Sequence, residues 1–102
     1  MYKVSYLPIA NADIAGIIDY IAVNLSNVTA AGSFLDELDR VQNMIADNPF
    51  TFRVYDRLDN EAEKVRVAPV KNYYLFYSIR EGAVTVKRVI YNRRNISGRW
   101  DD

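Results

Sequence analysis

The chain of 102 residues contains neither cysteine nor histidine. Without cysteine it can form no disulfide, offer no thiolate nucleophile and bind no metal through sulfur. Without histidine, Ser-His-Asp and Cys-His catalysis, His-ligated zinc and histidine-based ribonuclease chemistry are all excluded. Any proton transfer must therefore use Asp, Glu, Lys, Tyr or water.

Long apolar runs are also missing. No stretch approaches the ~20 residues that a membrane-spanning helix needs, and the first residues lack the hydrophobic segment of a signal peptide. No glycine-rich nucleotide loop and no metal-ligand spacing is present, so we expect no metal and no small-molecule cofactor. The length and the 50% hydrophobic content predict a single domain over residues 1–102, in the cytoplasm and away from membranes.

Charge of one sign is scarce in each half of the chain. Residues 1–63 carry four Lys or Arg and ten Asp or Glu, whereas residues 64–102 carry nine bases and three acids. The formal net charge of zero is thus the sum of −6 in the first part and +6 in the second. Such asymmetry indicates a polyanion-binding face or an acidic partner.

The N-terminal pattern predicts a strand and then a helix. Apolar side chains alternate over Met1–Leu7, and Pro8 ends the alternation. Asn11 is the predicted N-cap of the helix, and Asp13 lies in its first turn. The apolar stripe of this helix is Ile14, Ile17, Ile18, Ile21 and Leu25.

A break at Asn24–Asn27 separates this helix from a second one, which is capped by Ser26 or Asn27 and ends at Pro49. Its apolar stripe is Ala31, Phe34, Leu35, Leu38, Val41 and Ile45. Two amphipathic helices joined by a short break predict an antiparallel hairpin. Residues 50–63 have no clear period, and we expect their aromatic side chains to tuck under a loop.

Three further strands are predicted at residues 64–68, 72–79 and 84–91, with Glu81-Gly82 as the turn between the last two. Simple alternation in the last strand would group Val84, Val86, Arg88 and Ile90 on one face and Thr85, Lys87, Val89 and Tyr91 on the other.

The predicted fold class is α+β: an antiparallel sheet with the helical hairpin packed on one face. The N-terminal strand joins the sheet edge or inserts beside a later strand. One sheet face then stays uncovered, and we expect the basic residues of the second half there. That face is also a possible homodimer interface.

Basic residues in this half are candidates for a phosphate-binding cleft. Lys64 and Arg66 lie two apart on a strand and project the same way, and Arg93 and Arg94 follow the last strand. The planar fork of arginine binds phosphate oxygens through two hydrogen bonds. The alternative for each cation is a nearby acid or water.

Aromatic residues interleaved with these bases suit nucleic-acid contact. Tyr91 could stack on a base or pack in the core, and Tyr74 points towards the cleft or the helices. With Lys87 and Arg94 they form the candidate nucleic-acid-binding set. Asp13 and Asp19 form a paired-carboxylate candidate that we disfavour, because nothing places an electrophile nearby.

Three segments resemble the RelE/ParE toxins of bacterial type II toxin–antitoxin, or plasmid stabilisation, modules. YKVSYLPIANADIAGIIDYIAVNL is similar to their opening strand and helix, and AAGSFLDELDRVQNMIADNP to their second helix. VKNYYLFYSIREGAVTVKRVIYNRRN is similar to their central hairpin, in which the last strand ends in an Arg motif.

The resemblance implies a toxin held inactive by a cognate antitoxin with an acid-rich segment. RelE-like members cleave mRNA on the ribosome as mRNA interferases, and ParE-like members poison DNA gyrase without catalysis. The resemblance places Lys64, Arg66 and Arg93 at the catalytic positions of the first type. Tyr74 stands where such nucleases often carry arginine, and their C-terminal tyrosine has no clear match. Because of the Lys64, Arg66 and Arg93 cluster, the function that we expect is ribosome-dependent cleavage of mRNA. The alternatives are a gyrase inhibitor without catalysis and an inactivated homologue that acts only with its antitoxin.

Overall fold

A computed structural model describes residues 1–55 and 64–92 of the chain. The predicted order of one strand, two helices and three strands is confirmed there. The elements are β1 (Lys3–Tyr6), α1 (Pro8–Asp19), a π-helical turn (Tyr20–Asn24), α2 (Val28–Asp47), β2 (Arg66–Val70), β3 (Tyr73–Arg80) and β4 (Ala83–Tyr91).

The four strands form one sheet in the order β1-β4-β3-β2. Strands β2, β3 and β4 are antiparallel neighbours, as predicted. Strand β1 lies at the edge and runs parallel to β4, with Lys3 opposite Ala83 and Tyr6 opposite Val86. The α+β fold is thus confirmed, although the sheet is mostly and not wholly antiparallel. Both helices pack on the same face of this sheet.

Helix α1 begins earlier than the sequence analysis placed it. Pro8 occupies its first turn and Leu7 is the N-cap, so the prediction of Asn11 as the cap was wrong. Proline suits this position because its missing N–H would have no partner in the helix and its φ is already helical. Asp13 therefore lies in the middle of α1, where it faces the sheet.

The helix does not break cleanly at its end. It widens into the π-helical turn, in which the Leu25 N–H donates to the Tyr20 carbonyl at 3.0 Å. Ser26 then takes a left-handed φ of 49°, which turns the chain into α2. Asn27 is the cap of α2, because its side chain accepts from the Ala30 N–H at 2.9 Å.

The main core lies between the helices and the sheet. Its fully buried members include Phe34, Val41 and Ile45 from α2, and Leu75 and Tyr77 from β3. The predicted stripes are largely confirmed, but their outer members are not buried. Leu35 is 44% exposed and Leu25 is 54% exposed.

A β-bulge at Lys87 changes the faces of β4. Phe76 lies opposite Arg88 and Tyr77 lies opposite Val86, so Lys87 is an extra residue between them. The extra residue shifts the alternation by one. Val84, Val86 and Val89 consequently all belong to the core beneath the helices, whereas Ile90 packs on the opposite face. The single alternation predicted for 84–91 was therefore wrong.

The face away from the helices carries a second apolar cluster. Tyr55, Val67, Tyr74 and Phe76 are its buried members, and Val65 and Ile90 pack against them. The charge pattern of the sequence predicts basic residues on this face. Within the described residues, its centre is aromatic and aliphatic instead, because β2 and β3 alternate apolar side chains to both faces.

Strand β2 begins two residues later than predicted and is bordered by an earlier segment. Tyr55 N–H donates to the Val65 carbonyl at 2.7 Å, and Val67 N–H donates to the Arg53 carbonyl at 3.1 Å. The backbone nitrogen of residue 69 faces the same outer side, two residues further on. Pro69 therefore removes no hydrogen bond between strands, as expected at a sheet edge.

Candidate functional site

A groove of about 1120 Å³ lies between α1, the start of α2 and the ends of β3 and β4. It exists because β1 pairs with β4 only as far as Val86, so the last residues of β4 have α1 and not a strand beside them. The groove is lined by Ala12, Asp13, Gly16, Ile17, Tyr20, Ile21, Leu25, Ala30, Ser33, Phe34, Lys71, Asn72, Tyr73, Val89, Ile90 and Tyr91.

Three tyrosines gather at this groove. The Tyr73 and Tyr91 rings meet edge to face with their centroids 5.6 Å apart. The Phe34 ring also packs edge to face on Tyr73, with the centroids 5.2 Å apart. Burial raises the pKa of Tyr73, and the neighbouring phenols of Tyr20 and Tyr91 raise it further. Tyr20 and Tyr91 remain about half exposed. Exposed tyrosines beside a groove are typical of protein-binding surfaces.

One wall of the groove is fixed by an ion pair between α1 and β4. Arg88 donates to both carboxylate oxygens of Asp13, at 2.7 and 3.0 Å. The Val89 N–H donates to the same carboxylate at 3.0 Å, which satisfies a backbone group at the open edge of β4. Burial alone would raise the pKa of Asp13, but these hydrogen bonds outweigh it and hold that pKa below its usual value. Asp13 thus joins α1 to β4, and it is not paired with Asp19 in a carboxylate site.

Arg66, a predicted catalytic residue, is engaged by its own chain. Its guanidinium donates to the Phe52 carbonyl at 2.7 Å and lies 5.2 Å from the centre of the Phe50 ring. Alternation along β2 places it on the side of the helices, at the end where α2 finishes. Lys64 precedes the strand and is exposed.

The other predicted site residues are dispersed. Tyr74 is 5% exposed and belongs to the second apolar cluster, and Lys87 is the bulged residue of β4. Tyr91 faces the groove. Arg93 and Arg94 lie outside the described residues.

Arg66 and Tyr91 are not brought together. Arg66 lies opposite Tyr77, and Tyr91 lies opposite Tyr73, four residues away on β3. Four residues span roughly 13 Å along a strand, and β2 and β4 are separated by two strand spacings of roughly 5 Å each. The backbones at Arg66 and Tyr91 are therefore roughly 16 Å apart, and the two side chains do not contact each other.

The described residues contain neither a metal-binding cluster nor a membrane-spanning helix. In residues 1–55 and 64–92, no group of three or more Asp or Glu side chains is placed to hold a metal ion. No helix in the same part of the chain is long and apolar enough to cross a bilayer.

Comparison with known proteins identifies the family. A family model described as the ParE toxin of the type II toxin-antitoxin system, parDE, matches residues 4–96. The chain belongs to the ParE toxin family. A solved structure from P. aeruginosa, described as a chromosomal ParDE TA system, has a TM-score of 0.72 and covers 89% of this chain and 96% of its own. At 13% identity that likeness concerns the fold alone. No curated protein sequence matches the chain.

The sequence pattern of this ParE-family toxin does not predict the groove. Its lining combines residues far apart in the chain, and Gly16 and Tyr20 stand outside the predicted apolar stripe. The feature of the sequence that could have indicated the groove is Tyr20, a large aromatic residue on the polar side of an amphipathic helix. The pattern could not indicate the gap beside β4, because that gap depends on where β1 stops pairing.

The Tyr77 hydroxyl holds the segment after α2, close to Arg66. Its hydroxyl donates to the Pro49 carbonyl at 2.6 Å, and burial raises its pKa to about 12, although nearby Arg66 lowers it. We expect Tyr77→Phe to lower the free energy of unfolding by about 1 kcal/mol, because the buried carbonyl loses its donor. Urea unfolding followed by circular dichroism measures the loss. Tyr20→Phe, at an exposed ring, is the control; equal stability of Tyr77→Phe and the wild type would contradict this role.

Proposed function

We propose that this ParE-family toxin arrests growth in the cytoplasm by binding DNA gyrase, and that a cognate antitoxin neutralises it by filling the groove. The observation that carries the first part is the apolar tip of the helical hairpin. Val23 is 64% exposed and Val28 is 75% exposed, and Leu25 lies between them. An exposed apolar cluster at one end of a small protein is typical of a contact with another protein.

The antitoxin is the partner that suits the groove. Its lining is mainly apolar, with exposed tyrosines and Lys71 at the rim. Residues 64–92 carry six Lys or Arg and a single acid, Glu81. A chain with apolar anchors and an acidic side chain opposite Lys71 would therefore complement both the shape and the charge of the groove.

Binding is favoured over RNA cleavage because Arg66 and Arg88 are both engaged within the chain. Arg66 donates one N–H to the Phe52 carbonyl, and Arg88 donates two to the Asp13 carboxylate. Cleavage of mRNA on the ribosome remains the alternative hypothesis. Its catalytic set would be Lys64, Arg66 and Arg93, and its nucleic-acid contacts would be Arg94, Tyr91, Lys87 and Tyr74. In such a set Arg66 would bind the phosphate with the N–H groups that the Phe52 carbonyl does not occupy.

The experiment is to induce the toxin without its antitoxin and map the 5′ ends of translated messages, while purified gyrase is assayed for supercoiling with added toxin. We expect growth arrest, intact messages and inhibited supercoiling. New ends inside codons, lost when translation is blocked, would overturn the proposal in favour of the nuclease. Absence of arrest would favour the inactivated homologue.

A charge at the hairpin tip tests the contact itself. Val28→Glu should raise the toxin concentration needed to inhibit gyrase at least about tenfold, because a buried, unpaired carboxylate at an interface costs more than 1.4 kcal/mol. The same change should not harm the fold. Val28 begins α2, whose first turn holds no acid, and a negative charge there stabilises a helix by about 0.5 kcal/mol.

Thr29→Glu is the matched control. It places the same charge one residue later in the same helical turn, at an exposed polar position. Supercoiling assays with both variants distinguish the effect of a charge at the apolar tip from the effect of an added negative charge in general. If Val28→Glu and Thr29→Glu inhibit gyrase equally well, the apolar tip is not the contact.

A further inference from the structure

Gly16 is placed where neither the fold nor the packing requires a glycine. It lies inside α1 with ordinary helical backbone, although glycine is less favourable in a helix interior than any residue except proline. A Cβ built on it would meet no atom within 4 Å. An alanine would therefore fit, and it would favour the helix.

Gly16 differs from the other helical glycine in its surroundings. Gly32 in α2 also has open space around the position of a Cβ, but it does not line the groove. Gly16 does, one turn after Ala12 and one turn before Tyr20. At residue 16 the surface of α1 that borders the groove is consequently bare backbone, with the exposed Tyr20 ring one turn away.

The opposite side of the groove is the open edge of β4 and the hairpin turn at Lys71. Asp13, the acid among the lining residues, is neutralised by Arg88. Lys71 is the lining cation, and it lies close enough to Glu37 on α2 to lower the pKa of that carboxyl, after the larger effect of Arg40. A chain lying in the groove would thus meet apolar and aromatic walls, with Lys71 as the cation at its rim.

We propose that Gly16 is a close-approach position, at which the antitoxin's chain packs directly on the backbone of α1 while an acidic side chain of the antitoxin faces Lys71. The proposal rests on the proposed function for the identity of the occupant. Glycine at such a position allows two backbones to approach more closely than any side chain permits. A methyl group at residue 16 should therefore favour the free toxin and disfavour the complex.

The test compares Gly16→Ala with Gly32→Ala. Both should raise the melting temperature of the free toxin by about 4 °C, because alanine replaces glycine in a helix interior. Toxin separated from its antitoxin and refolded is then titrated calorimetrically with wild-type antitoxin. We expect Gly16→Ala to weaken binding at least about tenfold and Gly32→Ala to leave the affinity unchanged. A raised melting temperature shows that the weaker binding does not come from misfolding.

Two results would overturn the proposal: wild-type affinity of Gly16→Ala, or equal weakening by both variants, which would assign the effect to helix stiffness. Lys71→Glu adds a second measurement, and it should weaken binding and reduce the dependence of affinity on salt. Failure of the proposed function is seen separately, as a wild-type toxin that leaves gyrase active. Loss of affinity in Gly16→Ala alone would support the groove contact even then.

Discussion

Phe34→Ala should lower the free energy of unfolding by about 4 kcal/mol, the largest stability loss that we expect from a single change in this chain. Phe34 is 1% exposed, and its ring packs edge to face on Tyr73 beneath the helices. Removing the ring takes away its burial and leaves a cavity that the surrounding helix and sheet close only partly. Since small domains are stable by about 5–15 kcal/mol, this loss would remove between about a quarter and four-fifths of the margin.

Leu35→Ala is the control for Phe34→Ala, because the two residues are adjacent in α2 and both belong to the stripe predicted from the sequence. Leu35 is exposed, so its truncation should cost about 0.5 kcal/mol. Urea unfolding of both variants, followed by circular dichroism, gives the comparison. Similar losses for the two changes would mean that the sheet covers a wider face of α2 than the structure describes.

This pair of residues illustrates what periodicity could and could not predict. The spacing in α2 correctly indicates a helix with one buried face, because apolar side chains at three- and four-residue intervals fall on one side. It cannot rank Phe34 above Leu35. The position of the sheet decides which edge of the stripe is covered, and that position depends on distant residues such as Leu75 and Tyr77.

The sheet shows the same limit in another form. Strong alternation predicted β3 and β4 and their turn at Glu81-Gly82, where both residues have the positive φ that such a tight turn requires. One bulged residue, Lys87, then reversed the faces of everything after it. A bulge is set by the pairing of two strands, so no local pattern in β4 announces it.

The candidate site was less predictable than the fold. The number of bases in the second half shows the charge asymmetry but does not predict where these side chains lie. Two of these bases form contacts within the chain. Arg66 supports the segment after α2, and Arg88 supports the junction of α1 with β4. Resemblance to the family indicated the class of protein, which the match over residues 4–96 confirms. The groove required the three-dimensional arrangement of α1, α2 and β4.

Asp13→Ala should lower the free energy of unfolding by about 2 kcal/mol at pH 7. The carboxylate is 14% exposed and accepts from Arg88 and from the Val89 N–H, so its removal leaves a backbone donor at the edge of β4 without its partner. Arg88 is 44% exposed, and water will satisfy much of what it loses. Asp13→Asn keeps an acceptor oxygen for Val89 and should cost less, about 1 kcal/mol.

The Asp13 contribution should also depend on pH in a defined direction. The folded protein holds the pKa of Asp13 below its ordinary value of 3.8, so the contribution is complete above that pH and is lost as the pH falls through the folded pKa. The stability difference between wild type and Asp13→Asn should thus narrow when urea unfolding is repeated between pH 7 and pH 3. Asp19→Asn, an exposed position at the end of α1, is the control and should change stability by no more than about 0.5 kcal/mol. A difference for Asp13→Asn that stays constant over this range would show that the carboxylate does not act through its charge, and that packing alone joins α1 to β4.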